Sequence, residues 1–165
     1  SSVVGMFEQI VAQIAILICF QSLILDMAGN VGTQSLAVTI RVLTDEALPM
    51  SEKLHLISKE VRVGLTNGTL LGVIAFGVVT FYTMVLKHYP LSYSMAVGAC
   101  VAIALMLAMT ISSFAGTAIP MVFDKFGVDP AVASGPLITT VNDLVAVISY
   151  YGLAWLMLIQ VFHLV

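Results

Sequence analysis

Asp26 and Asp143 are carboxylates set inside long apolar runs. Asp26 lies in "LILDMAGNVGTQSLAVTIR", residues 23–41, and Asp143 in "GPLITTVNDLVAVISYYG", residues 135–152. At helical spacing Asp26 shares a face with Gly29, Asn30, Thr33 and Ala37. The corresponding face around Asp143 holds Pro136, Thr139, Thr140, Ala146, Val147 and Tyr150. One acid among hydroxyls and small residues can line a wet path, or it can let two helices pack closely. The chemistry that fits these oxygen donors is capture of a small, strongly hydrated cation. Mg²⁺ dehydrates reluctantly, keeps several waters, and is typically held through one or two carboxylates. Asp143, with carbonyls, hydroxyls and the Asn30 amide around it, could bond such a water shell without stripping it.

Each of these residues also has a plainer reading. Asp143 could be a neutral acid bonded to a neighbouring hydroxyl, and the glycines of "GNVG" could mark a helix crossing. Asn30 is harder to set aside, because its amide needs a partner at that depth. An acid at the bilayer centre costs at least about 2.5 kcal/mol on insertion scales, so it must face a partner, a cavity or a second subunit. The Asp129–Pro130 step reads as a helix-start signal. Pro120 and Pro136 should break or kink their helices. His55, His88 and His163 have no metal-ligand companion at helical spacing and read as interfacial.

The elements that position these groups must be membrane helices. The 165 residues are 60% hydrophobic and 9% charged, with a mean hydropathy of +1.09, which places the chain in the membrane class. A net charge of −3 with six Lys+Arg leaves no basic patch for nucleic acid. Cys19 and Cys100 sit in apolar runs and read as small packing residues. The N-terminus "SSVVGMFEQ" has no initiator Met, no basic region and no cleavage site, so it is expected to be a cut ahead of a helix rather than a signal peptide.

A spanning helix needs about 20 mostly apolar residues. Four segments qualify, near 7–30, 63–86, 93–115 and 137–162, and together they predict an all-α integral membrane domain over residues 1–165. The loops "KHYPLS" and "FDKFGVDPA" carry Pro and Gly breakers. Residues 44–62 form a longer amphipathic loop in which Leu54, Leu56 and Ile57 suggest a helix lying at the interface. Arg41, Lys53, Lys59 and Arg62 flank that loop and make it cytoplasmic, with both ends of the chain outside. Lys125 agrees with this orientation and Lys87 opposes it. Tyr89 and Tyr93 bracket one interface; Tyr150, Tyr151 and Trp155 serve the other or simply pack. Four helices enclose little space, so a path between two protomers, with two Asp143 side chains converging on a two-fold axis, is more plausible than one within each.

"GNVGTQSLAVTIRVL", "KEVRVGLTNGTLLG" and "GVDPAVASGPLITTVNDLVAVISYY" closely resemble the transmembrane domain of the MgtE family of magnesium channels, and the resemblance covers nearly the whole chain. It implies five transmembrane helices per subunit, a homodimeric bundle in the inner (plasma) membrane, and an ion path at its centre. It makes Asp143 the acid that holds hydrated Mg²⁺, with Thr139 offering its backbone carbonyl and Gly29, Asn30 and Thr33 lining the facing wall. Three departures stand out. Many members carry a small residue where this chain has Asp26, and an extra acid there would strengthen cation attraction or broaden selectivity. Members often have Asn where this chain has Gly135. The family's first helix, its cytoplasmic sensor domains and its connecting helix have no counterpart in these residues.

The leading expectation is therefore a passive, channel-like Mg²⁺ conduit with Asp143, Thr139, Asn30, Gly29, Thr33 and Asp26 as its ion-facing residues. A coupled divalent-cation carrier would require Asp26 or Asp143 to change protonation or ligand during its cycle. An intramembrane aspartyl protease would need the two acids to share a proton at close range, and the Gly-x-Gly-Asp signature is missing at both. A purely structural membrane subunit leaves both acids unexplained. Oxygen ligands suit Mg²⁺, Mn²⁺, Co²⁺ and Ni²⁺ alike.

Overall fold

Backbone groups inside a bilayer have no water to bond, so apolar runs of this length must satisfy themselves as helices. The computed structural model describes the backbone of residues 2–45, 47–132 and 135–157, with side chains from residue 15 onward. It contains α1 (Ser2–Asp45), α2 (Met50–Phe81), α3 (Leu91–Lys125) and α4 (Gly135–Ala154), and among the described residues there is no strand. All four are long and apolar enough to cross a membrane.

The boundaries of α1, α2 and α3 extend beyond the expected spans, and α4 begins two residues ahead of its own. Residues 50–62 are not a separate helix lying at the interface. They are the first turns of α2, which runs without interruption from Met50 to Phe81. Their charges alternate with Leu56 and Glu60, both buried against the bundle, so the amphipathic pattern belongs to the end of a packed helix. Pro120 does not end its helix either. α3 continues to Lys125 through a buried Pro120, whose ring removes only the bond to the carbonyl four residues back. Pro136 sits in the first turn of α4, where its missing N–H has no helical partner to lose.

The helix ends have identifiable causes. α2 closes through a π-helical turn, Tyr82–Leu86, after which His88 adopts a left-handed φ of 58° and Pro90 precedes α3. α3 stops at a Schellman turn. Gly127, at φ 71°, donates its N–H to the Asp124 carbonyl at 3.1 Å, and Val128 donates to the Phe123 carbonyl at 3.0 Å. Asp129 does not start a helix. Its Oδ1 accepts the Ala131 N–H at 2.9 Å in a turn ahead of α4.

α3 is the spine. It packs on all three other helices, α1 and α4 pack on it and on each other, and α2 packs almost wholly on α3. Because lipid tails are as apolar as Leu, such helices associate through close packing and hydrogen bonds rather than the hydrophobic effect. Gly64, Gly68 and Gly72 supply that packing along one stripe of α2. A Cβ on Gly68 would lie 2.8 Å from the Met106 Cα, and one on Gly72 would lie 2.9 Å from the Ala102 carbonyl oxygen. Where the start of α2 meets the end of α3, Lys53 Nζ and Asp124 pair at 3.0 Å. On the far side α4 is tied to α1: Tyr150 donates its hydroxyl to the Leu17 carbonyl at 2.7 Å, and Tyr151 donates to Gln21 Oε1 at 2.5 Å. Those bonds fix the two tyrosines as packing residues, whereas Trp155 is exposed. Cys100 is buried in the core, but Cys19 turns outward and is exposed. His55 is exposed on α2 and His88 is exposed in the turn; His163 lies outside the described residues.

The glycine stripe can be tested directly. Gly68→Val should destabilise the protein by about 1–3 kcal/mol, because the added atoms meet backbone that cannot rotate away. Gly77→Ala, where nothing lies within 4 Å of a new Cβ, should be neutral or stabilise by about 0.5–1 kcal/mol. Thermal unfolding in detergent micelles measures both, and equal effects would remove the packing role assigned to the stripe.

Candidate functional site

The faces of α1 and α4 divide cleanly. On α1 the buried positions among the described side chains are Ile16, Ile24, Ala28, Val31, Gly32, Ser35, Leu36 and Thr39. Ser22, Asp26, Asn30, Thr33 and Ala37 lie exposed on the opposite side. On α4 the buried face is Ile138, Asn142, Ala146, Tyr150 and Ala154. Ala146 and Tyr150 are both 0% exposed, so they do not belong to the Asp143 stripe that the sequence suggested. The acid shares its face with Thr139 instead. The expected stripe was too broad because a four-residue step and a three-residue step diverge around a helix.

α1 and α4 enclose between them an open groove of about 460 Å³ lined by Ser22, Leu25, Asp26, Gly29, Asn30, Thr33, Thr139 and Asp143. All six residues singled out from the sequence therefore line one cavity. A cavity of about 290 Å³ between α2 and α3, lined by Thr69, Gly72, Val73, Phe76, Ala99, Ala102, Ile103 and Met106, holds no ionisable group. Another of about 290 Å³ is lined by Leu43, Thr44, Asp45, Ala47, Leu48, Lys53 and Asp124, where Lys53 pairs with Asp124.

The helices run antiparallel, and the contact of Gly32 with Asn142 sets their register. Asp143 stands nearly level with Gly32, while Asp26 is six residues away on α1. At 1.5 Å rise per residue the two acids are roughly 9 Å apart along the helix axis. They are two stations along the groove, on facing walls.

The hydroxyls present acceptors to this space. Thr33 donates its hydroxyl to the Gly29 carbonyl at 2.8 Å, and Thr139 donates to the Gly135 carbonyl at 3.0 Å. With its proton committed to its own helix, each oxygen has lone pairs left for an outside donor. Asp26, Asn30 and Asp143 make no hydrogen bond or ion pair to another described residue. No group of three or more His, Cys, Asp or Glu among the described residues could hold a bare metal ion. The donor set suits a cation that brings its own water.

Two buried polar residues carry no signal in the individual motifs. Glu60, 5% exposed, lies one turn before Gly64 on the glycine stripe of α2; the four-residue spacing 60, 64, 68, 72 would have placed it on the packed face. Asn142 is 0% exposed and neighbours Asp143. Its spacing with Ile138, Ala146 and Tyr150 marks it as inward-facing.

Comparison with known proteins completes the description. A family model described as MgtE, divalent cation transporter, matches residues 21–153. The chain is 39% identical to the magnesium transporter MgtE of Enterococcus faecalis, over 93% of this chain and 32% of the relative. It is 36% identical to that of Bacillus subtilis, over 93% of the chain and 32% of the relative, and 28% identical to that of Thermus thermophilus, over 96% and 33%. The chain thus spans about a third of the length of the curated relatives it matches. These relatives are transporters, which sets aside the aspartyl protease reading. With a model match over most of its length and four helices able to span a membrane, the chain belongs to the MgtE family of divalent cation transporters as a multi-pass membrane protein.

Proposed function

We propose that the groove between α1 and α4 is one wall of a passive path for hydrated Mg²⁺, with Asp143 as its principal ligand. The observation that carries this reading is that two acids and a row of acceptor oxygens, with no basic side chain among the lining residues, share one open groove. The relatives named magnesium transporters support the choice of ion. Here Mg²⁺ is cargo, not a resident cofactor.

The chemistry follows from hydration. Six waters occupy about 180 Å³ at 30 Å³ each, so the groove accommodates a hydrated ion without dehydration. The waters donate outward to the Asp143 carboxylate, the Thr139 and Thr33 oxygens, the Asn30 carbonyl oxygen and backbone carbonyls near Gly29. A station bound through water is weak enough to release its ion, which conduction requires. Asp26 attracts the cation one station earlier. The membrane potential drives the doubly charged ion with about 4.6 kcal/mol per 100 mV.

The groove is open on one side, and hydrocarbon cannot cover acids and amides. A second copy about a two-fold axis closes it and brings a second Asp143 and a second Asp26 to the same path. The end of α1, residues 47–49 and the charged start of α2 then face the cytoplasm of a plasma membrane, as Arg41, Lys53, Lys59 and Arg62 indicate.

Mg²⁺ flux into proteoliposomes at a clamped potential tests the assignment. Asp143→Asn should lower flux by at least about tenfold, equivalent to 1.4 kcal/mol of lost ion stabilisation, with the dimer intact. Asp26→Asn should raise the half-saturating Mg²⁺ concentration more than it lowers maximal flux. Undiminished flux in Asp143→Asn would overturn the reading, and strict dependence on a counter-ion would replace the channel with a carrier.

A water-filled groove also predicts a reactivity pattern. With Cys19 and Cys100 replaced by Ala, Asn30→Cys and Thr33→Cys should be modified by a membrane-impermeant, charged thiol reagent, while Ser35→Cys, buried against α3, should not. Equal protection of all three would mean that lipid rather than water lies on this face.

A further inference from the structure

Asn142 is fully buried, and neither its Nδ2 nor its Oδ1 has a hydrogen-bond partner among the described residues. Buried amides are ordinarily satisfied, so an orphaned one calls for an explanation other than hydrogen bonding. Its contact supplies one. A Cβ on Gly32 would come within 2.7 Å of the Asn142 Cγ and 2.8 Å of its Oδ1. The planar amide therefore lies in the space that a side chain at residue 32 would fill.

Gly32 cannot yield on its other side. The position of a Cβ on Gly116 of α3 is already in conflict with the Gly32 carbonyl oxygen and lies 3.2 Å from the Ser35 Cβ. The α1 backbone at Gly32 is thus held between Gly116 of α3 and Asn142 of α4. Successive residues of a helix point about 100° apart, so seating Asn142 on Gly32 fixes the direction in which Asp143 leaves α4. That direction is into the groove, opposite Gly29, Asn30 and Thr33.

We propose that Asn142 is a positioning residue for transport: seated on Gly32, it sets the azimuth and depth of the Asp143 carboxylate in the ion path. This rests on the reading of Asp143 as an ion ligand. Asn142 itself touches no ion. The pair acts as a steric key, and changing either member alone should misplace the acid.

The test is a double-mutant cycle on the whole protein in proteoliposomes, with Mg²⁺ as the probe. Wild type, Gly32→Ala, Asn142→Ala and Gly32→Ala/Asn142→Ala are compared for half-saturating Mg²⁺, maximal flux and melting temperature. Gly32→Ala should raise half-saturating Mg²⁺ by about tenfold, and the double variant should recover most of that loss, a coupling typical of residues in contact. In the double variant the new Cβ at residue 32 occupies the seat that the amide vacates. A merely structural contact would move the melting temperature and leave half-saturation per folded protein unchanged. That result, or a double variant no closer to wild type than Gly32→Ala, would overturn the proposal. If Gly32→Ala does not fold, a folded double variant with near-normal half-saturation supports the key, and failure of both overturns it. Should Asp143→Asn retain full flux, the functional reading falls and this inference falls with it; retained sensitivity to Asp143 with no coupling removes the inference alone.

Discussion

Helices that leave lipid for one another gain little from burying apolar surface, so whatever holds them must come from contact at short range. In this chain that contact is backbone against backbone on α3. Gly64, Gly68 and Gly72 bring α2 onto it, and Gly116 brings it against Gly32 of α1. Once the spine is covered by α2 on one flank, α1 and α4 have only the other flank to share. They lie side by side there with their apolar faces turned to α3. Their polar faces must then point the same way, and the groove is a consequence of that arrangement.

Hydroxyls behave alike in the core and in the groove, yet with different results. Thr39, Thr83 and Thr117 are buried and donate to carbonyls four residues back, at 2.7, 2.8 and 2.9 Å. Thr33 and Thr139 do the same at the groove. In the core this bond removes the penalty of a lone hydroxyl. At the groove it fixes the polarity of the wall, because the proton points inward and the lone pairs outward. A wall of acceptors favours water molecules that are themselves oriented by a cation. Asp26 and Asp143 add the charge that makes this preference electrostatic.

Much of this was legible in the residues. The number of helices followed from run length, and the family from three long motifs. The clustering of Asp26, Gly29, Asn30, Thr33, Thr139 and Asp143 followed from helical spacing and resemblance together. What sequence did not show was azimuth. The spacing of Asn142 with Ile138, Ala146 and Tyr150 is compatible with an inward face, but Ala146 and Tyr150 also fit the stripe read around Asp143, and packing against Gly32 decides between the two. Ala146 and Tyr150 were assigned to the acid's face for the same reason. Continuity was the second blind spot. The charges of residues 52–62 suggested an interfacial element, whereas they decorate one side of α2 while Leu56 and Glu60 pack on the other.

The shape of the groove bears on why one chain is insufficient for the proposed activity. Two acids, an asparagine and two threonines stand on a face that no described element covers, while the exposed face of α2 carries Leu70, Val73, Ile74, Val78 and Phe81. Lipid suits the second face and not the first. An uncovered acid at depth costs at least about 2.5 kcal/mol, and here two occur roughly 9 Å apart along the axis of facing helices. Repulsion between them adds to that penalty unless a cation or water lies between. A second copy removes the lipid but doubles the acids, so closure by dimerisation alone worsens the charge problem. Closure around hydrated cations relieves both. On the proposed reading, assembly of the dimer and occupancy of the path are therefore coupled, since the interface that excludes lipid is stable only with the positive charge that it conducts.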